Sequence, residues 1–135
     1  VAVDLAVDDF GAVCLDRAWI VADAGRVVDP DGLRAQLEGG FLQGASWALH
    51  EKVLWGPEGR DRLDWESYPV LRFDNIPKID TTIIEHQNAE PVGAGEATPG
   101  PSVAAIANGV FGATGLRLRR MPFDQDAIMN AALNA

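Results

Sequence analysis

"DPDGLRAQLEGGFLQGASWALHE", residues 29–51, carries the reading of the whole chain. Asp29 is a good helix N-cap. Pro30 suits the first helical position, where its fixed φ is already helical and a backbone N–H would have no partner. Leu33, Leu37, Phe41, Ala45, Ala48 and Leu49 then recur at helical spacing on one side. The stretch predicts one long helix from Pro30 to about Glu51. Its weak point is Gly39, Gly40 and Gly44, three glycines within six positions. Each costs about 1 kcal/mol relative to Ala. Such a cost implies close approach of something else, either a neighbouring backbone or a bulky ligand. Gln36, Gly40, Gln43, Trp47 and His50 line the side opposite the apolar stripe, a smooth amide-bearing face suited to something polar and flat.

Upstream, Val1, Val3, Leu5 and Val7 alternate with Ala2, Asp4, Ala6 and Asp8, the period of a half-buried strand. Asp8, Asp9, Phe10 and Gly11 supply a turn. "AVCLDRAWIVA" follows as a second strand, so the chain opens on a hairpin. Val1 stands inside a strand pattern with no Met before it, which is expected of a fragment of a longer chain. Downstream, "GPEG" is a turn whose flanks "KVLW" and "RLDW" suggest a short hairpin. "SYPVLRFDNIP" is punctuated by proline and irregular. "KIDTTIIEHQ" alternates Ile79, Thr81 and Ile83 and reads as a strand. "PSVAAIANGVFGATG" reads as a helix with Pro101 near its start, Gly115 past its end, and Val103, Ile106, Ala107, Val110 and Phe111 as its buried stripe. "LRLRRMPF" leads to a last helix capped by Asp124. The expected class is α+β, a single domain over residues 1–135: a hairpin, a long helix, short strands, then two helices.

Between the last strand and the penultimate helix runs "PVGAGEATPGP", residues 91–101. It lacks the Lys-Ser/Thr ending of a phosphate loop, and its glycine spacing does not match a dinucleotide fingerprint. What it does present is one acid, Glu96, among small residues shortly before a helix whose positive end favours negative charge. Two readings follow: a turn glutamate in solvent, or a carboxylate poised as a general base.

Composition narrows the classes. The chain has 135 residues, 47% hydrophobic and 23% charged, with net charge -9 at pH 7. That balance argues against a nucleic-acid surface, which needs clustered Lys and Arg. No apolar run reaches membrane-spanning length. The single cysteine, Cys14, excludes an internal disulfide and a thiolate cluster. His50 and His86 are too far apart in sequence to suggest a metal site, and read as surface or interface residues. Trp19, Trp47, Trp55 and Trp65 are irregularly spaced, which favours core or interface packing over a stacking surface. Arg117, Arg119 and Arg120 suggest salt bridges to this acidic chain or an intersubunit contact.

"DAGRVVDPDGLRAQLEGGFLQG", "SYPVLRFDNIPKID" and "PVGAGEATPGPSVAAIANGVFGATGLRLRRMPF" together resemble the C-terminal part of the large subunit of molybdenum hydroxylases. That family holds xanthine oxidase, aldehyde oxidoreductases and carbon monoxide dehydrogenase, and the isoquinoline 1-oxidoreductase beta type is the nearest in pattern. The resemblance runs from the first hairpin to about Phe123. Two departures stand out: Asp29 replaces the usual Asn before Pro30, and "GEATPGP" varies the loop after the glutamate.

The resemblance implies a molybdopterin cofactor, in bacteria usually the cytosine dinucleotide form, and a [2Fe-2S] cluster on a separate partner. It implies that Glu96 is the base for hydroxylating an N-heterocycle or aldehyde with oxygen from water. Gln43 matches a glutamine near the cofactor. Gly93 and Gly95 would let the loop pass close to it, and Gly40 would let the long helix pack beside it. The remainder of the large subunit, the small iron-sulfur subunit and a small-molecule substrate are the implied partners. The fragment alone is expected to bind no cofactor and to be inactive. The competing expectation is a stand-alone binding or dimerisation module without molybdenum.

Overall fold

The computed structural model describes residues 1–61 and 63–135. Strands β1 (Ala2–Val7) and β2 (Val13–Asp23) form the expected antiparallel hairpin. Its turn is fixed by Asp8, whose carboxylate accepts from the Phe10 and Ala12 amides at 2.9 and 2.8 Å. Gly11 closes the turn at φ 83°, where a Cβ would be strained. Asp4 pairs with Arg17 but Leu5 pairs with Leu15, so Asp16 is an extra residue on β2, a β-bulge.

Helix α1 spans Pro30–Leu49, with the Asp29 carboxylate accepting from the Gly32 amide at 3.0 Å. It ends two residues before Glu51. The chain then makes an excursion through a small hairpin, β3 (Trp55–Gly56) and β4 (Gly59–Arg60). These strands hug the Pro57-Glu58 turn. The second falls before the expected "RLDW" flank, whose Arg62 lies outside the described residues. Ser46 ties the excursion down. Its hydroxyl donates to Glu51 Oε1 and accepts from the Leu71 amide at 2.9 Å, while the Tyr68 hydroxyl donates to Glu51 Oε2 at 3.0 Å.

The chain re-enters the sheet as β5 (Lys78–Ile84), parallel to β2, with Arg17 opposite Lys78 and Asp23 opposite Ile84. Parallel neighbours need a long crossover, and α1 with the excursion supplies it. The sheet order is β1-β2-β5. Across it, the Arg17 guanidinium meets the Asp80 carboxylate at 2.6 Å and lies 5.2 Å over the Trp19 ring.

Helix α2 (Pro99–Thr114) begins two residues before the expected Pro101, and Gly115 ends it at φ 73°. Prolines tolerate the first turn, where their missing N–H is no loss. Helix α3 (Gln125–Leu133) is capped by Asp124, which accepts from the Ala127 amide at 2.8 Å.

One face of the sheet is covered: α1 lies over β5 and β2, and α2 lies over β1 and beside α1. Leu15, Ala18 and Ile20 of β2, Leu37, Phe41, Ala45, Ala48 and Leu49 of α1, Ile106 and Val110 of α2, and Phe123 and Ile128 make one core. Full burial of side chains such as Leu37 and Phe41 contributes about 1.5–3 kcal/mol each. One expectation is corrected, and one is narrowed from core or interface to interface. Phe111 is 40% exposed because its ring serves the Arg117 guanidinium, 3.8 Å from the ring centroid. None of the four tryptophans is in the core: Trp19 and Trp47 are each 39% exposed, Trp55 73% and Trp65 82%.

Candidate functional site

The loop from Glu85 to Thr98 joins β5 to α2 and carries Glu96. Its first half is pinned to the end of β2. The His86 Nδ1 lies 2.7 Å from Asp23 Oδ2, an ion pair when the imidazole is protonated. The other oxygen of Asp23 accepts from the Gly25 amide at 3.0 Å. The Arg26 amide donates to the Ala89 carbonyl at 3.3 Å, and the Val92 amide to the Ala24 carbonyl at 3.0 Å. Gly25, at φ 70°, sits so close to the Glu90 carbonyl that a Cβ there would overlap it. Glycine is required at this crossing for both reasons.

The second half is pinned to α1. The Thr98 hydroxyl donates to the Leu37 carbonyl at 2.7 Å, in a buried bond. Gly40 is buried under Thr98 and Pro99, and a Cβ on Gly44 would stand 2.7 Å from the Pro99 carbonyl oxygen. Of the two bodies that the glycines of α1 were expected to admit, a neighbouring helix thus accounts for Gly40 and Gly44. Gly39 is exposed and has no atom within 4 Å of a Cβ built on it.

Between these anchors the chain turns at Gly95 and Glu96, closed by the Ala97 amide bonding the Ala94 carbonyl at 3.4 Å. Glu96 is exposed, and among the described residues its carboxylate has no hydrogen-bond or ion-pair partner. A Cβ on Gly93 would meet nothing within 4 Å, and one on Gly95 would meet only the Gln36 amide nitrogen, at 3.4 Å. Neither glycine has a positive φ. Their contribution is the bare surface they leave open beside the acid.

Of the residues expected to gather, Gly93, Gly95 and Glu96 share this loop, and Gly40 supports its far end. Gln43 lies elsewhere, lining a groove of about 270 Å³ with Leu42, Ser46, Glu51, Leu71, Phe73 and Ile76. The side chain that reaches the glycine loop is Gln36, seven residues earlier and about 10 Å away along the helix axis. The signal for it was present: Gln36 and Gly40 are four apart and share a helix face.

A larger open groove, about 630 Å³, lies between Val53, Arg60, Leu63, Asp64, Trp65 and Tyr68. It shares no residue with the Glu96 loop, and its Asp64 and Tyr68 are engaged locally, by Ser67 at 2.7 Å and Glu51 at 3.0 Å. The loop, with the Glu96 carboxylate beside bare glycines and with fixed ends, is the better candidate. Among the described residues no group of three His, Cys, Asp or Glu side chains is placed to hold a metal ion, and no helix is long and apolar enough to cross a membrane. Arg117 donates to the Asn108 side chain at 2.9 Å rather than to an acid. Cys14 is a free, exposed thiol.

Comparison with known proteins agrees with this architecture. Residues 1–77 match the family described as "Molybdopterin cofactor-binding domain". A nicotinate dehydrogenase chain of Pseudomonas putida is 39% identical over 129 residues, which is 95% of this chain and 11% of that protein. The isoquinoline 1-oxidoreductase beta chain of Brevundimonas diminuta is 34% identical over 108 residues, 80% of this chain and 14% of that protein. Among solved structures, the aldehyde oxidoreductase from Desulfovibrio gigas superposes with a TM-score of 0.81 at 27% identity, covering 98% of this chain and 15% of that one. The chain thus spans a small share of the length of the proteins it matches. With a family match over residues 1–77 and relatives of this identity, the chain belongs to the molybdopterin cofactor-binding domain family of the xanthine oxidase and aldehyde oxidoreductase type.

Proposed function

We propose that residues 1–135 form one C-terminal domain of a molybdenum hydroxylase large subunit, and that Glu96 is its general base. The observation that carries this reading is a partnerless, exposed carboxylate on a loop held firmly at both ends. An acid with no structural partner, set beside bare glycine backbone, fits a reaction that needs a base close to a bulky cofactor.

The residues present fit one wall of such a site. Gly93 and Gly95 leave room for a large group, and the Gln36 amide offers a hydrogen bond at its edge. Gly40 keeps the loop seated on α1, and Gln43 offers a second amide further along that helix. The cofactor, proposed in its cytosine dinucleotide form, would supply a Lewis acid and accept two electrons. Glu96 would receive on a carboxylate oxygen the proton released as water-derived oxygen adds to substrate. The overall change replaces a C–H bond by C–OH, consumes one water, and releases two protons and two electrons. A [2Fe-2S] cluster on a partner subunit would take the electrons onward. The relatives' names point to N-heterocycles and aldehydes as the substrate class. The isolated 135-residue chain is proposed to be inactive, because it contributes only one wall.

The test compares wild type with Glu96→Gln in the full-length enzyme, measuring molybdenum content and turnover on nicotinate, isoquinoline and a panel of aldehydes. The expected result is normal molybdenum content with turnover lowered by about 100-fold or more. Retained turnover makes Glu96 a turn residue. A wild type without molybdenum favours a non-catalytic binding module.

A further inference from the structure

The residue before α2 has the type of a helix cap but does not act as one. Thr98 occupies the N-cap position, yet its hydroxyl makes no bond to the first turn of α2. The reason lies in the prolines. Pro99 and Pro101 stand at the first and third helical positions and bring no N–H groups. Half of the donors that a cap would satisfy are missing. The hydroxyl is released for another partner.

That partner is on the other helix. Thr98 is 4% exposed and donates to the Leu37 carbonyl of α1 at 2.7 Å. The Thr98 carbonyl in turn accepts from Ser102, from its amide at 2.9 Å and from its hydroxyl at 2.6 Å, and Ser102 is fully buried. Leu37, Thr98 and Ser102 form a satisfied polar seam inside an apolar helix contact. Buried polar groups of this kind hold their geometry, because any displacement leaves one of them unpaired. Gly40 and Gly44 let the seam close by removing the Cβ atoms that would wedge it open.

We infer that Thr98 is the positioning residue for Glu96, through its hydroxyl bond to the Leu37 carbonyl. Glu96 itself has no partner to hold it, and only Ala97 separates it from this anchor. The upstream anchor at Val92 is four residues away, with Gly93 and Gly95 in between. The shorter and stiffer link therefore sets where the carboxylate stands. This inference rests on the reading of Glu96 as the base.

The experiment uses the full-length enzyme and two readouts. Hydrogen exchange of peptides covering residues 93–97 is measured in molybdenum-loaded and cofactor-free protein. Steady-state kinetics are measured on the loaded protein. Thr98→Val keeps the side chain's shape and removes the bond. It is expected to speed exchange in this loop by about 10-fold. It should lower kcat by about 10- to 100-fold, with KM changed by less than about twofold. Thr98→Ser restores the hydroxyl and should return both towards wild type.

If Thr98→Val leaves loop exchange unchanged, the inference is overturned, whatever happens to kcat. Failure of Thr98→Ser to restore the loop overturns it too. If Thr98→Val does not yield folded enzyme, Gly40→Ala replaces it, since a Cβ there displaces the same hydroxyl, and the same two readouts decide. Glu96→Gln run alongside separates the two ideas. It should abolish turnover without changing exchange, and if turnover survives, the base reading fails while the exchange data still judge Thr98.

Discussion

Replacing Gly39 and Gly44 by Ala, one at a time, should move stability in opposite directions. Both lie in α1 and both would gain about 1 kcal/mol of helix propensity. At Gly39 nothing opposes that gain, because a new Cβ would point into open space. At Gly44 the Cβ would stand 2.7 Å from the Pro99 carbonyl oxygen and 3.1 Å from Pro99 Cα, where ordinary contact begins near 3.4 Å. The helices would have to part by several tenths of an ångström. The obstacle is backbone, so no side chain can rotate out of the way. Overpacking of this kind costs about 1–3 kcal/mol, which equals or exceeds the propensity gain. The net expectation is a gain of about 1 kcal/mol for Gly39→Ala and a loss of up to about 2 kcal/mol for Gly44→Ala. For a chain of this size each kcal/mol shifts Tm by about 3–5 °C, so the two melts should differ by about 3–15 °C. Far-UV circular dichroism melts of the chain measure this directly. Equal shifts for the two variants would refute the close helix approach, and with it the seat of the Glu96 loop.

Two further outcomes follow from other parts of the fold. Asp124→Ala removes the cap of α3 and should cost about 1 kcal/mol, seen as a lower denaturant midpoint with faster exchange at the Ala127 amide. His50 is half-buried, and desolvation pushes its pKa below the usual 6.5 despite the nearby Glu51 charge. The unfolded chain therefore takes up this proton more readily than the folded one. Stability should fall as pH drops below about 6.5 and continue to fall through the lowered folded value. His50→Gln should flatten that limb of a stability-versus-pH curve, and an unchanged limb would remove His50 as its cause.

Much of this fold is legible in the sequence because its signals are local. Alternation marks the first hairpin, the Asp29-Pro30 and Asp124 caps mark two helix starts, and Gly115 marks a helix end. What escapes local reading is what depends on a distant partner. The parallel pairing of β5 with β2 joins residues about sixty positions apart, and no periodicity encodes it. The start of α2 is ambiguous because Pro99 and Pro101 both suit a first turn, and the register is fixed by the Ser102 amide bonding the Thr98 carbonyl at 2.9 Å. Phe111 fits an apolar stripe by spacing, but Arg117 draws its ring to the surface. The site was legible in part for the same reason. Glu96 stands out in a bare loop, whereas the choice between Gln36 and Gln43 turns on which face of α1 meets Gly95.

The three-stranded sheet has a consequence for anyone handling this chain. β1 and β5 each pair with β2 alone, so among the described residues both outer strands have an unpaired side. On β5 only the Thr81 carbonyl is taken, by the Arg34 guanidinium at 2.7 Å. An open strand side with Ile79, Thr81 and Ile83 along it is a template for another strand. In a longer polypeptide that template can register the next piece of sheet. In the chain produced by itself it offers the same hydrogen bonds to a second copy, and an antiparallel pairing would set Lys78 of one copy against Glu85 of the other, so the chain on its own is expected to self-associate along β5.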